Sequence, residues 1–226
     1  MRRILAALLC LCLCAMPVRA QAPSYIALTF DDGPTKYTPA LLAGLEEREV
    51  KATFFLSGYR IDQFPELAEQ IQAAGHEIGL HGQTHRRLDN LSRRDIAAEI
   101  VENRALLPAG CKARWLRPPE GRCPTSVCQV AKAKNLGVLI WSVDPRDWEC
   151  DDAGCIARRV VETVRDGDVV LLHDTSESSV QAALAIVEDL TARGYRFVTV
   201  SELARLRGES IRSGKVYRNF YPREEK

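Results

Sequence analysis

Two adjacent aspartates, Asp31 and Asp32, end an apolar run in "LTFDDGP" and are followed at once by a Gly-Pro turn. Neighbouring carboxylates repel, and drawing them into a protein costs free energy unless a metal ion, a proton or an arginine balances them. "HGQTH" sets His81 and His85 four residues apart. That spacing puts both imidazoles on one face of a helix, and a turn can also converge them. Two histidines and one carboxylate make a three-ligand set for a catalytic Zn2+, with positions left for water and substrate. Non-haem Fe2+ uses the same set, so the residues specify a divalent ion rather than one element. One aspartate would bind the ion, and the other would stay free as a general base toward water. Arg117 in "RWLRPP" is the cation available to that base, and His173 in "LLHD" can donate a proton to a leaving group. Taken alone, "FDDGP" also reads as a β-turn with solvated acids. His76 in "AGHEIG" reads as a hydrogen-bonded packing residue.

The elements around these residues alternate. "YIALTF", "ATFFLSG", "HEIGLH", "RWLRPP", "VLIWSVD", "DVVLLHD" and "RFVTV" have the apolar content of strands. Runs of helical period follow them, among them "TPALLAGLEEREV", with Thr38 as cap and Pro39 in the first turn, and "LSRRDIAAEIVENRALL", capped by Ser92. About seven β/α units predict a parallel sheet covered by helices. Asp31 and Asp32, His81 and His85, Arg117, Asp144 and Asp147, and His173 all fall at carboxyl ends of strands. Five contributing strands favour a closed or nearly closed ring over an open sheet, which gathers its site at one switch point. The same placement argues against solvated turn residues.

The chain has 226 residues, with 31 Lys and Arg against 30 Asp and Glu, interspersed. That balance offers no basis for nucleic-acid binding or for attraction to an anionic membrane. Residues 1–20 read as a signal peptide: Arg2 and Arg3 precede the apolar "ILAALLCLCLCAM", and "VRA" sets cleavage after Ala20. The expectation is a periplasmic or secreted protein without stable membrane insertion. Residues 21–208 form one domain, and residues 209–226, which lose apolar periodicity, form a C-terminal surface tail. Five cysteines remain beyond the signal: Cys111, Cys123, Cys128, Cys150 and Cys155. In an oxidising compartment four of them would pair. Cys150 with Cys155 and Cys123 with Cys128 close short loops, and Cys111 competes for Cys123 or Cys128.

"TFDDGP", "HGQTH", "RPPEG", "DPRDW" and "LLHD" occur here in the order found in the NodB-type polysaccharide deacetylases, carbohydrate esterase family 4. The likeness runs from Tyr25 to about Leu206. The resemblance implies a distorted (β/α)7 barrel, a single NodB-homology domain. It implies a hydrolase that removes N-acetyl or O-acetyl groups from a carbohydrate polymer or oligosaccharide with Zn2+ or another divalent metal such as Co2+, Fe2+ or Ni2+. Asp32, His81 and His85 would hold the metal. Asp31 would be the general base, Arg117 its partner, His173 the general acid, and Asp147 would touch Arg117 or His173. Trp148 would form a groove wall, Leu171 would line the acetyl pocket, and a backbone N–H at Glu120 would face the oxyanion. Two positions depart from the family pattern: Glu120 replaces a tyrosine, and Gly82 stands where Ser or Thr often supports the second histidine. Loss of catalysis with retained glycan binding, or hydrolysis of a small amide on the same fold, are the alternative functions.

Overall fold

The computed structural model describes residues 23–222; the proposed signal peptide lies outside them. Eight parallel strands form one curled sheet in the order β6-β1-β2-β3-β4-β5-β8, with β7 pairing to β1. The strands are β1 (Ser24–Gly33), β2 (Thr53–Leu56), β3 (Glu77–Leu80), β4 (Trp115–Leu116), β5 (Gly137–Leu139), β6 (Val169–His173), β7 (Tyr195–Phe197) and β8 (Val216–Tyr217). β5 and β6 do not pair along their length. One parallel bridge, Val143 to Val170, spans the gap, with Leu171 N donating to Val143 O at 2.9 Å. The ring is therefore distorted as expected, a curled half-barrel sealed on one side by a loop.

The strands read as continuous apolar runs because both faces are covered. Ile26, Leu28, Phe30, Phe54 and Leu172 pack beneath the helices in one core cluster, whereas Ala27, Phe55, Trp115 and Val169 pack on the other face. The helices on the outside include α1 (Thr38–Glu47), α2 (Gly58–Gln63), α3 (Pro65–Ala73), α4 (Arg93–Ala105), α5 (Thr125–Ala133), α6 (Ala153–Val161), α7 (Glu177–Ala192) and α8 (Val200–Leu206). Ser92 caps α4 as its sequence predicts, accepting from Asp95 N at 3.2 Å.

Three local expectations change. Thr38 is the first residue of α1 rather than its cap; its hydroxyl accepts from Thr35 N at 2.7 Å and donates to the buried Asp174. The short helix α2 was not legible, because "GYRIDQ" is one and a half turns with two buried residues. The third change concerns residues 209–222, expected to lie on the surface as a tail. Val216 and Tyr217 instead pair with β5, and Tyr217 and Phe220 are buried against Trp115. Two aromatics, the two-residue ladder with β5 and an antiparallel bridge from Asn219 to Asp168 fix that segment without any apolar period. No helix among the described residues is long and apolar enough to cross a membrane.

Candidate active site

The paired aspartates part company because the backbone breaks register between them. Asp31 pairs with Phe55 of β2, and the next paired residue of β1 is Gly33. Asp32 is the extra residue of that bulge, in left-handed backbone with φ +68°. The bulge lets two consecutive carboxylates serve different partners.

Asp31 is buried against Arg117, which is fully buried and immediately follows β4. Arg117 Nη1 donates to Asp31 Oδ1 at 2.6 Å and to Thr29 Oγ1 at 2.8 Å, and Nη2 donates to Ile140 O at 3.0 Å. The guanidinium also stacks 4.1 Å from the Phe55 ring centroid. With Asp31 Oδ1 engaged there, Oδ2 faces His81 Nε2 at 3.8 Å.

Asp32 faces the histidines. Its Oδ1 lies 3.2 Å from His81 Nε2 and 2.8 Å from His85 Nε2, is buried, and receives no well-aligned donor. His81 Nδ1 donates to Arg117 O at 2.7 Å, which fixes the tautomer and leaves a lone pair on Nε2 aimed at the carboxylate. Lone pairs from a carboxylate and an imidazole directed at one point suit a cation. Atoms of Asp32, His81 and His85 all lie within 4.8 Å of one another. Burial alone would raise the Asp32 pKa. Contact with the two imidazoles outweighs it and holds that carboxyl well below the usual range. The same contact with Asp32 raises His85. The donor set and its geometry fit a divalent metal.

His173, the last residue of β6, stands on the neighbouring strand, paired in register with Asp31. Asp147, in a 3-10 turn (Asp147–Glu149) after β5, touches His173 and not Arg117. Its Oδ2 accepts from His173 N and its Oδ1 from His173 Nδ1, both at 2.8 Å. Burial lowers the His173 pKa, but the Asp147 bond and charge, with help from Asp31 and Asp32, carry it up to about 9. The imidazole is thus a cation at neutral pH with Nε2 free of this pair.

Asp31, Asp32, His81, His85 and His173 border one cavity of about 350 Å3. Leu171, Trp148 and Glu120 also line it; Leu171 is 3% exposed, whereas Trp148 is 62% exposed at the rim. Glu120 sits in left-handed backbone, φ +57°, its carboxylate 3.6 Å from Arg87 Nε and 3.9 Å from Arg122 Nε. The structure therefore brings every expected site residue to this cavity or into direct contact with a residue lining it. Trp141 and Thr175 line it as well and were not foreseen. Only their positions, each two residues beyond the end of a strand, could have signalled them. His76 is structural, as read: Nδ1 accepts from Ala52 N at 3.1 Å, and burial lowers its pKa to about 4.

No disulfide bond joins the five described cysteines. Cys123 and Cys128, one of the expected pairs, face each other with sulfurs 2.8 Å apart, whereas Cys150 turns its sulfur to Asp152 O at 3.7 Å. Asp152 caps α6 through Gly154 N and Cys155 N.

Residues 19–139 match the profile of the polysaccharide deacetylase family. A peptidoglycan-N-acetylglucosamine deacetylase of Bacillus cereus is 41% identical over 187 residues, covering 80% of this chain and 88% of that protein. A chitooligosaccharide deacetylase of Sinorhizobium fredii is 38% identical, covering 85% and 90%. This chain spans only 42% of the peptidoglycan deacetylase PgdA of Listeria monocytogenes, at 34% identity. Among solved structures, the T48 deacetylase with substrate superposes with a TM-score of 0.82 at 33% identity, covering 86% of this chain and 96% of that one. A family 4 acetyl xylan esterase from Clostridium thermocellum, in complex with a cobalt ion, gives 0.80 at 31% identity, covering 86% and 98%. With a profile match over more than half its length and relatives that it spans almost end to end, the chain belongs to the polysaccharide deacetylase family.

Proposed function

We propose that this chain is a secreted or periplasmic deacetylase that hydrolyses the N-acetyl group of an N-acetylglucosamine residue within a glycan, peptidoglycan or chitooligosaccharide. The observation that carries the reading is the division of labour around one cavity. A carboxylate whose charge Arg117 balances and an imidazole that Asp147 keeps protonated both border it, with the Asp32–His81–His85 cluster beside them. The names of the Bacillus, Listeria and Sinorhizobium relatives support the substrate class.

Asp32, His81 and His85 would hold the divalent ion, with Zn2+ the expected element and the cobalt complex of the acetyl xylan esterase supporting a metal of this class. When bound, such an ion supplies Lewis acidity toward a carbonyl oxygen and eases the deprotonation of water. Asp31 takes a proton from the attacking water through Oδ2, since Arg117 occupies Oδ1. His173 gives its Nε2 proton to the departing nitrogen, while Asp147 holds Nδ1 and so fixes which nitrogen faces the cavity. Leu171 offers an apolar wall for the acetyl methyl, Trp148 a face for a sugar ring, and the Glu120 amide a donor for the oxyanion. The Glu120 carboxylate, paired with Arg87 and Arg122, adds its charge at the edge of the same cavity.

The test is acetate release by residues 21–226 from N-acetylglucosamine oligomers, from peptidoglycan and from the monomer. It is run after chelation and after Zn2+ return, beside Asp31→Asn and His173→Ala. Release from a polymer that stops with chelator, returns with Zn2+ and fails in both variants is expected. Release from the monomer alone supports small-amide hydrolysis, and glycan binding without release by the metal-loaded protein supports a binding role; either overturns the proposal.

A further inference from the structure

Two buried polar side chains on α4 have no place in the chemistry above. The inward stripe of that helix is Ile96, Glu99, Ile100 and Asn103, and Glu99 and Asn103 are 3% and 0% exposed. A carboxylate and a carboxamide in a core stripe are costly unless their hydrogen bonds are made. Both are directed at the loop that carries His81 and His85. Glu99 Oε2 accepts from Thr84 N at 2.8 Å and Oε1 from Thr84 Oγ1 at 2.6 Å, with Arg86 Nη2 at 3.1 Å from the same oxygen. One turn along the helix, Asn103 Oδ1 accepts from His81 N at 3.1 Å, an N–H it shares with Leu56 O of β2 at 3.1 Å, while its Nδ2 finds no partner among the described residues. Asn103 thus spends its one satisfied contact on the backbone of His81.

The loop needs such a brace. Between the two histidines the backbone enters the left-handed region at Gly82, φ +85°, and His85 itself adopts φ +59°. A non-glycine residue there is held only where its surroundings over-determine it. The turn that results brings the two imidazole centroids to 5.1 Å. Space for the brace exists because residue 82 has no side chain: a Cβ there would lie 3.3 Å from Glu99 Oε2.

We infer that Glu99 is a positioning residue of the metal site: from one face of α4 it fixes the loop at Thr84, while β2 and Asn103 together hold His81 N, so both imidazoles point toward Asp32 before an ion arrives. The inference rests on the reading of Asp32, His81 and His85 as metal ligands. Preorganised ligands lose less freedom on binding, so loosening the brace weakens the ion's hold more than it weakens the fold.

The test is metal affinity itself. The metal-stripped chain is titrated with Co2+ in competition with a chromogenic chelator, for wild type, Glu99→Gln, Thr84→Val and Ser92→Ala. Ser92 bonds only within α4, so its variant destabilises the same helix without touching the loop. Glu99→Gln and Thr84→Val are expected to weaken Co2+ binding by ~10-fold or more, the effect typical of groups that orient ligands. Saturating Co2+ should restore kcat with KM unchanged. Ser92→Ala should lower the melting temperature of the metal-free protein and leave affinity as it was. Affinity within about twofold of wild type in both Glu99→Gln and Thr84→Val would overturn the inference. So would affinity losses that merely track melting temperature across all three variants. Should Glu99→Gln fail to fold, Thr84→Val decides alone. A wild-type chain that binds no Co2+ overturns the metal-site reading, and this one with it.

Discussion

Replacing Asp147 by asparagine isolates the proton donor. Asp147 accepts two hydrogen bonds from His173, one from the backbone N–H and one from the ring. Burial pulls the His173 pKa down, and chiefly Asp147 carries it up to about 9. At about pH 7.5, an imidazole of pKa about 9 is ~97% protonated, whereas one returned to the ordinary 6.5 is ~10% protonated. A step that needs the cation therefore slows by about 10-fold at that pH, and the descending limb of the pH–rate profile moves down by about 2.5 units. A dication in the cluster lowers the pKa in both proteins, so the difference between them survives. The asparagine also offers one oxygen to two donors, costing about 1–3 kcal/mol of stability. The assay compares an N-acetylglucosamine oligomer with 4-nitrophenyl acetate across pH. The aryl oxide leaves without a proton, so the ester should lose little where the amide loses the full factor. Equal losses on both substrates, or a descending limb that stays put, would refute His173 as the acid.

Arg117→Met leaves the Asp31 carboxylate buried without its cation and should cost about 3–5 kcal/mol in urea unfolding; a loss below about 1 kcal/mol would contradict the pair's burial. Asp174, fully buried beneath the "DDGPT" turn, has its pKa raised to about 6, chiefly by burial, with the Asp32 charge adding to it. A carboxyl raised above its unfolded 3.8 stabilises fully below that pH and loses the contribution as pH climbs through about 6, a change of about 3 kcal/mol. Asp174→Asn should remove that slope from stability measured between about pH 4 and 7, and an unchanged slope would refute the assignment. Mild oxidation of the folded protein should link Cys123 to Cys128 and leave Cys111, Cys150 and Cys155 as thiols; peptide mapping that finds Cys150 joined to Cys155 would show that the loop opens.

Much of the site was legible because its chemistry is written in residue types at strand ends. An apolar run that stops on Asp31 and Asp32, histidines four apart after another, and an Arg and a His closing two more have few bland explanations in combination. The parallel β/α architecture was legible for a like reason, since apolar strands that alternate with amphipathic helices leave little choice of fold class. What the chain's order could not disclose is which partner each group takes. The two aspartates are chemically identical, and only the bulge at Asp32, a slip of one residue against β2, gives one to Arg117 and the other to the histidines. Asp147 could have met Arg117 or His173 until the 3-10 turn after β5 placed it under the latter. Glu99 and Asn103 look like surface residues of a charged helix, and burial alone shows that they face inward. β8 has no periodicity to read, because two residues that complete a sheet edge need only backbone and a place to fit. Local composition thus determined the chemistry and the architecture that presents it. Register, bulges and burial are sums of contacts between distant segments, and they decided which atom of each residue is left to do the work.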